Sequence, residues 1–252
     1  MRQSAKFGTP DTITCTVDFR THPTTLGNME MEIVVPEEVP VMTLPRLAFF
    51  PQALLPLHIF EPRYQTMLRD VLATNRLFAV AGLDARKADS VEPPHRVATI
   101  GIVRACQKNS DGTSNLLLQG LVRVEIQKIL RDDPYRLAGI HALNSDPGAT
   151  PEQNIRLRAR LSRLLATRQR LNGESSDELT RFLKTVDDPE VFVDLAAFSF
   201  CDKPRLKQKL LETLDVHKRL ELLSKDVLSD IETIKLRQKL QGVLPDAGIS
   251  GN

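Results

Sequence analysis

A chain of 252 residues is long enough for one large domain or two small ones, each with its own core. Its 41% hydrophobic and 26% charged residues are ordinary for a globular protein, and a net charge of +2 argues against a bulk electrostatic drive toward nucleic acid or membrane. No run approaches the roughly 18 apolar residues of a membrane span, the opening MRQSAKFGTPDTITC has no secretory h-region, and three widely separated cysteines (Cys15, Cys106, Cys201) read as reduced thiols of a cytosolic protein.

Residues 1–28 are polar and turn-rich, without sustained periodicity. Met29 or Met31, directly before EIVVPEEVPVM, is a candidate start that would make the preceding residues an upstream extension. A disordered tail is the other reading. The expected organisation is a tail over 1–40, a β subdomain over 41–146, a helical subdomain over 150–241 and a disordered tail over 242–252.

In residues 44–84, LPRLAFFPQALLPLHIFEPRYQTMLRDVLATNRLFAVAGLD, two short apolar segments (47–50 and 54–60) flank the break Pro51-Gln52. A helix opens at Pro62, where a missing N–H has no intrahelical partner to lose. Its residues Tyr64, Met67, Leu68, Val71 and Leu72 share one face, which is expected to cover an open end of a barrel. A third apolar run follows over 77–83. Val97–Lys108 is rich in β-branched residues and predicts a strand, and Asn109 to Gly112 supply turn chemistry. The chain resumes at 116–118 and continues to 130, with Leu121, Val122, Val124 and Ile126 partly alternating with polar residues. Gly120 inside that run predicts a bulge or bend. After Asp132-Asp133-Pro134, residues 135–143 form another strand. Some six strands with one inserted helix predict a small barrel or a folded-over sheet.

From Thr150 the pattern is helical. Over 155–171, Leu157, Leu161, Leu164 and Leu165 lie on one side and Arg156, Arg160, Arg163 and Arg170 on the other. Ser175 and Glu178 have capping-box spacing and open a second helix. Asp188-Pro189 starts a third, with Val191, Phe192, Leu195, Ala196 and Phe198 facing the core. Lys203-Pro204 introduces a short helix through Leu214. Asp215 caps the last, which runs to about Leu240 and spans roughly 35–40 Å at 1.5 Å per residue. Along it Val216, Leu220, Leu223, Val227, Ile231 and Ile234 make a stripe as narrow as a coiled-coil seam. Leu220, Leu223, Val227, Ile231 and Ile234 are therefore candidates for a partner or homo-oligomer contact. Leu222, Leu236 and Leu240 form a second, weaker stripe.

This order of elements resembles the N-terminal substrate-binding domain of the Lon protease family over about residues 41–240. The resemblance is most specific in 44–84, in the segment IGIVRACQKNSDGTSNLLLQGLVRVEI within 97–130, and in the DDP run at Asp187. It implies an α+β fold: an N-terminal PUA-like β-barrel with one inserted helix, followed by a C-terminal helical bundle ending in a long helix. It also implies a task, since the Lon domain holds polypeptide ahead of an ATP-driven motor and a protease.

Neither of those engines is legible here. No GxxxxGK[ST] loop occurs, and no glycine is followed by lysine. Ser224-Lys225 are neighbours on a helix, about 100° apart, and do not face each other. There is no GxSxG elbow. His22, His58, His95, His141 and His217 are scattered, with no HExxH and no CxxC, so neither a metal nor another cofactor is assigned. His58 reads as a hydrogen-bonded, half-buried strand residue and Cys106 as a packing residue. The arginine face reads as solvated helix surface, with an acidic peptide or polyanion contact as the alternative.

Phe49, Phe50, Leu54, Leu55 and Phe60 read mainly as core. Gln52, Ala53 and Leu54 follow the break and are the candidate polypeptide contacts, because an apolar loop tip in water is unusual. The reading is non-catalytic, cytoplasmic recognition of unfolded or exposed apolar polypeptide segments, as adaptor to an ATP-dependent protease or as holdase. The alternative is an RNA-binding PUA-like module, against which stand 5% aromatic residues and no tryptophan for base stacking.

Overall fold

The computed structural model describes residues 14–16, 32–87, 91–173 and 178–241. Met29, Met31 and Ser175, on which the alternative start and the capping box rest, lie outside these residues. Within the expected tail, β1 (Thr14–Thr16) pairs antiparallel with β2 (Glu32–Val34).

The main sheet contains β3 (Glu38–Leu44), β4 (Leu54–Ile59), β5 (Leu77–Gly82), β6 (Val97–Lys108), β7 (Ser114–Arg131) and β8 (Leu137–Leu143). Its order is β4-β7-β6-β5-β3-β8, and β8 pairs with β7 as well as β3. The pairings of β3, β5, β6, β7 and β8 thus return on themselves, and all are antiparallel except β3 with β5. The 18-residue β7 makes this possible by changing partners along its length. Its first part pairs with β4 and its last part with β8. The change falls where the sequence places Gly120: Ile100 opposes Val122 while Gly101 opposes Gly120, leaving Leu121 as an extra residue.

Alternation along these strands feeds two cores. Val41, Ala79, Ile100, Val124 and Ile140 belong to one built from these strands. Met42, Phe78, Val80 and Leu118 belong to the other, which the helices complete. α1 (Pro62–Leu72) buries Tyr64, Met67, Leu68 and Val71 in this second core. Residues 47–50 are not a strand, yet Ala48, Phe49 and Phe50 are buried beneath the β3–β4 connection.

The remaining helices are α2 (Pro151–Leu171), α3 (Glu178–Thr185), α4 (Pro189–Phe200), α5 (Pro204–Glu212) and α6 (Val216–Gln241). Their starts are encoded locally. Thr150 and Gln153 form a reciprocal capping box on α2. Asp188 accepts from the Val191 N–H, and Asp215 from the Lys218 N–H at 2.9 Å. α2 and α6 run side by side, tied by Asn154 to His217, Arg168 to Asp230 and Gln238 to the Leu171 carbonyl.

One expectation is corrected by this packing. Leu220, Leu223 and Val227 are completely buried and Ile231 nearly so, in the core that also holds Leu161, Leu165, Phe192 and Ala196. The narrow stripe is therefore occupied by this chain's own helices and is not a free seam; only Ile234 among the five is half-buried. α4 is covered on more than one side, so Val193, Asp194, Ala197 and Phe200 join Phe192 and Ala196 inside. Val191, Leu195 and Phe198 are half-buried.

Candidate polypeptide-binding site

The break Pro51-Gln52 becomes a turn clamped to β7. Gln52 has a positive φ of 63°, and its N–H donates to the Gly120 carbonyl at 2.9 Å. The Gly120 N–H returns to the Ala53 carbonyl, also at 2.9 Å. Only glycine permits this approach, because a Cβ at position 120 would lie 2.1 Å from the Phe50 carbonyl oxygen. A side-chain relay adds to the clamp: Arg104 donates to Gln119, which donates to Gln52.

The three candidate residues are consequently placed differently. Gln52 is half-buried, Ala53 is buried, and Leu54 is 51% exposed. Ala53 contributes its backbone to the clamp and offers no side-chain surface.

From Leu54 onward β4 alternates. Leu55 and Ile59 point into the core, while Leu54, Pro56, His58 and the following Phe60 are exposed, Phe60 by 62%. The half-buried Leu117 of β7 lies opposite Pro56. His58 is held by Asn115 at 2.7 Å and stacks on the Phe60 ring at 6.1 Å. It is exposed rather than half-buried, because it sits on the solvent side of this strand. Phe60 is exposed for the same reason, and the period-2 pattern of 54–60 was the signal that could have separated it from Leu55 and Ile59.

β4 pairs only with β7, so its other edge is an edge of the sheet. Given the bond from Gly120 to Ala53 and the register Leu54 to Gln119, the backbone nitrogen of Pro56 points to that free edge. A proline there removes a donor from the edge and limits indiscriminate strand addition. The result is a small apolar face with a partly blocked edge.

Elsewhere in the molecule, a buried ionic cluster joins sheet to helices. The Asp194 carboxylate, 1% exposed, accepts from Arg123 of β7 at 2.6 Å and from Arg219 of α6 at 2.5 Å. Arg123 also donates to the Leu211 carbonyl at 3.1 Å. Glu190 adds a second carboxylate 2.9 Å from Arg219 and accepts from Ser145. Burial alone would raise the Glu190 carboxyl, but Ser145, Arg219 and Arg123 together hold it below its usual range. The sequence reading missed this cluster: its members are dispersed over 97 positions from 123 to 219, and nothing local marks them.

Among the described residues no group of three or more His, Cys, Asp or Glu could hold a metal ion. Burial pushes the Cys201 thiol up, away from the thiolate. Cys106 is exposed on the outer half of β6 and is not the packing residue expected. Ser224 is buried while Lys225 is exposed, as their helical divergence requires. Arg156, Arg160, Arg163 and Arg170 are exposed. No described helix is long and apolar enough to cross a membrane.

Comparison with known proteins adds an independent line. The family model of the ATP-dependent protease La (LON) substrate-binding domain matches residues 38–226. The Lon protease of Desulfosudis oleivorans is 26% identical over 215 residues, covering 84% of this chain and 26% of that protein. The Lon protease of Syntrophus aciditrophicus is 28% identical over 214 residues, covering 82% and 27%. The chain thus spans about a quarter of the length of these relatives. The N-terminal domain of Mycobacterium avium complex Lon protease has a similar fold, with a TM-score of 0.61 at 19% identity over 77% of this chain and 98% of that one. The Lon N-terminal domain protein from Xanthomonas campestris gives a TM-score of 0.54 at 24% identity, over 74% and 96%. With matched residues running from the first strand of the main sheet into the last helix, the chain belongs to the Lon substrate-binding domain family.

Proposed function

We propose that the protein recognises exposed apolar segments of other polypeptides without hydrolysing them, and delivers or holds unfolded clients in the cytoplasm. The observation that carries this reading is the exposed apolar face of β4, with Leu54 and Phe60 beside Pro56 and Leu117, in a chain of the Lon substrate-binding family. An exposed apolar face on a clamped strand is what capture of unfolded chain requires. Leu54 and Phe60 supply the contact area. Gln52 and the Ala53 backbone fix the strand from which they project. The returning strand pairings are read as a PUA-like barrel that acts as scaffold. The likeness to Lon supports an ATP-dependent protease as the partner that receives clients. Any self-association through α6 would use Leu236 and Leu240, 59% and 58% exposed, in place of the buried stripe.

The test is binding of a permanently unfolded, fluorescently labelled client to the purified protein, with Leu54→Asp and Phe60→Asp variants. Both side chains are exposed, so the variants fold, and client affinity falls by about ten-fold or more in the double variant. Unchanged affinity refutes this face as the site. Client cleavage that persists through rigorous purification refutes the non-catalytic reading. Retention of RNA that disappears steeply with salt favours the nucleic-acid alternative.

A further inference from the structure

The helical side carries a second recessed surface. Between α2, α5 and α6 lies an open groove of about 680 Å³, within the range of about 300–1,000 Å³ usual for ligand sites. Leu157, Leu222 and Leu228 give it an apolar lining, and Leu228 is 37% exposed. Four cations stand around it: Arg160 from α2, Lys209 from α5, and Lys218 and Lys225 from α6. Lys218 is neutralised by Asp215 at 3.0 Å. Glu221 is the one acid lining the groove, and it also faces His217 at 3.6 Å. Arg160, Lys209 and Lys225 have no ion-pair partner among the described residues.

The leucines ask for apolar side chains and the unpaired cations for carboxylates.

We propose that this groove binds a short polypeptide segment in which leucine-like side chains alternate with aspartate or glutamate. The leucines of the segment sit on Leu157, Leu222 and Leu228, and its carboxylates meet Arg160, Lys209 and Lys225. Nucleic acid fits the cations but not the leucines, since no aromatic side chain lines the groove to stack a base. The site uses none of the β4 residues and stands independently of the reading given above.

Fluorescence anisotropy of the full chain tests it, with three labelled peptides of equal length: glutamate–leucine, lysine–leucine and glutamate–serine. The wild-type protein binds the glutamate–leucine probe best. Lys209→Glu with Lys225→Glu weakens that probe by about ten-fold or more and shifts preference to the lysine–leucine probe. Both lysines are exposed, and an unchanged melting temperature certifies the fold. Equal binding of the three probes, or indifference to the charge reversal, overturns the proposal. So does a single-stranded RNA probe that binds and is lost in the same variant while the acidic peptide does not bind. Leu54→Asp leaves the glutamate–leucine probe untouched, so loss of the β4 site and loss of the groove register separately.

Discussion

Asp194→Asn is the substitution from which the structure demands most. The change keeps the side chain's shape and volume, so it opens no cavity. It removes the negative charge from the centre of a cluster in which Arg123 is 2% exposed and Arg219 completely buried. Losing one partner of a buried pair costs about 3–5 kcal/mol, because the remaining charge is left desolvated. Here two guanidinium groups lose their shared acceptor. Glu190 stays close to both, at 2.9 Å from Arg219 and 3.5 Å from Arg123, and its side chain retains 40% exposure. The lower end of the range applies, about 3 kcal/mol. For a chain of this size each kcal/mol shifts the melting temperature by about 2–4 °C, which gives a fall of about 6–12 °C.

Thermal and urea unfolding followed by circular dichroism measures this. The urea midpoint should fall at an unchanged m-value. Because Arg123 belongs to the sheet and Asp194 and Arg219 to helices, limited proteolysis should also quicken in residues 144–150, which join the two parts. A variant that melts within about 2 °C of wild type would refute the reasoning, since the arginines would then be reaching water. The complementary triple replacement, Arg123→Met with Asp194→Leu and Arg219→Met, should recover most of the stability, because an apolar cluster of similar volume carries no desolvation cost.

Three further outcomes are expected. Gly120→Ala should lower the unfolding free energy by about 2–4 kcal/mol in urea titrations, because the new methyl meets backbone at the Phe50 carbonyl, which has nowhere soft to go; the same variant should weaken client binding by loosening the Gln52 turn. Hydrogen bonding to Arg86, above all, holds the Asp84 carboxyl down at about 2 against burial. A depressed folded-state value means stability present above the unfolded value near 4 and lost as the pH falls toward 2, so Asp84→Asn should flatten the acid limb of a stability–pH profile, and a carboxyl carbon titrating near 4 by NMR would contradict it. Finally, Leu223→Asp should unfold the chain, whereas Leu236→Asp should leave its melting temperature within about 1 °C of wild type; sedimentation of a folded, dissociated Leu223→Asp monomer would contradict the burial of that stripe.

Sequence pattern carried the elements whose cues are local. Proline at the first turn of α1, α4 and α5, and the Asp188 and Asp215 caps, mark helix starts within one residue. Gly120 announced the bulge because the constraint there is steric and belongs to one residue. Three features depended on what packs against what, and were not legible. The α6 stripe looked like a free seam since periodicity reports an apolar face but not its occupant. Residues 47–50 read only as a short apolar segment, and their form as buried irregular chain was not given by the pattern. The Arg123–Asp194–Arg219 cluster needed the folded sheet and bundle to bring its members together. At the candidate site the alternation in 54–60 lies in the sequence, but which half faces water depends on which side of β4 the core packs against.

The size of the β4 face bears on how the protein would work. Leu54 and Phe60 expose 51% and 62% of their surface. Full burial of such side chains is worth about 1.5–3 kcal/mol each, so covering the exposed parts contributes about 2–3 kcal/mol in total. Association costs at least about 4 kcal/mol in lost translational and rotational freedom. Two anchors alone therefore do not hold a client, and Leu117, Pro56 and the unblocked parts of the β4 edge must add contacts on which many sequences agree. Even then the affinity falls short of the roughly −8 kcal/mol that corresponds to 1 μM. A holdase needs client occupied for as long as the stress lasts, and such affinities do not provide that at ordinary concentrations. An adaptor does not need it. A brief encounter suffices when the next step is irreversible uptake by a protease, and weak, permissive binding then becomes an advantage because it releases folded protein. Under the proposed function, a face of this size suits delivery better than storage, and a protein that suppressed aggregation at equimolar client would show that the contact surface is larger than β4.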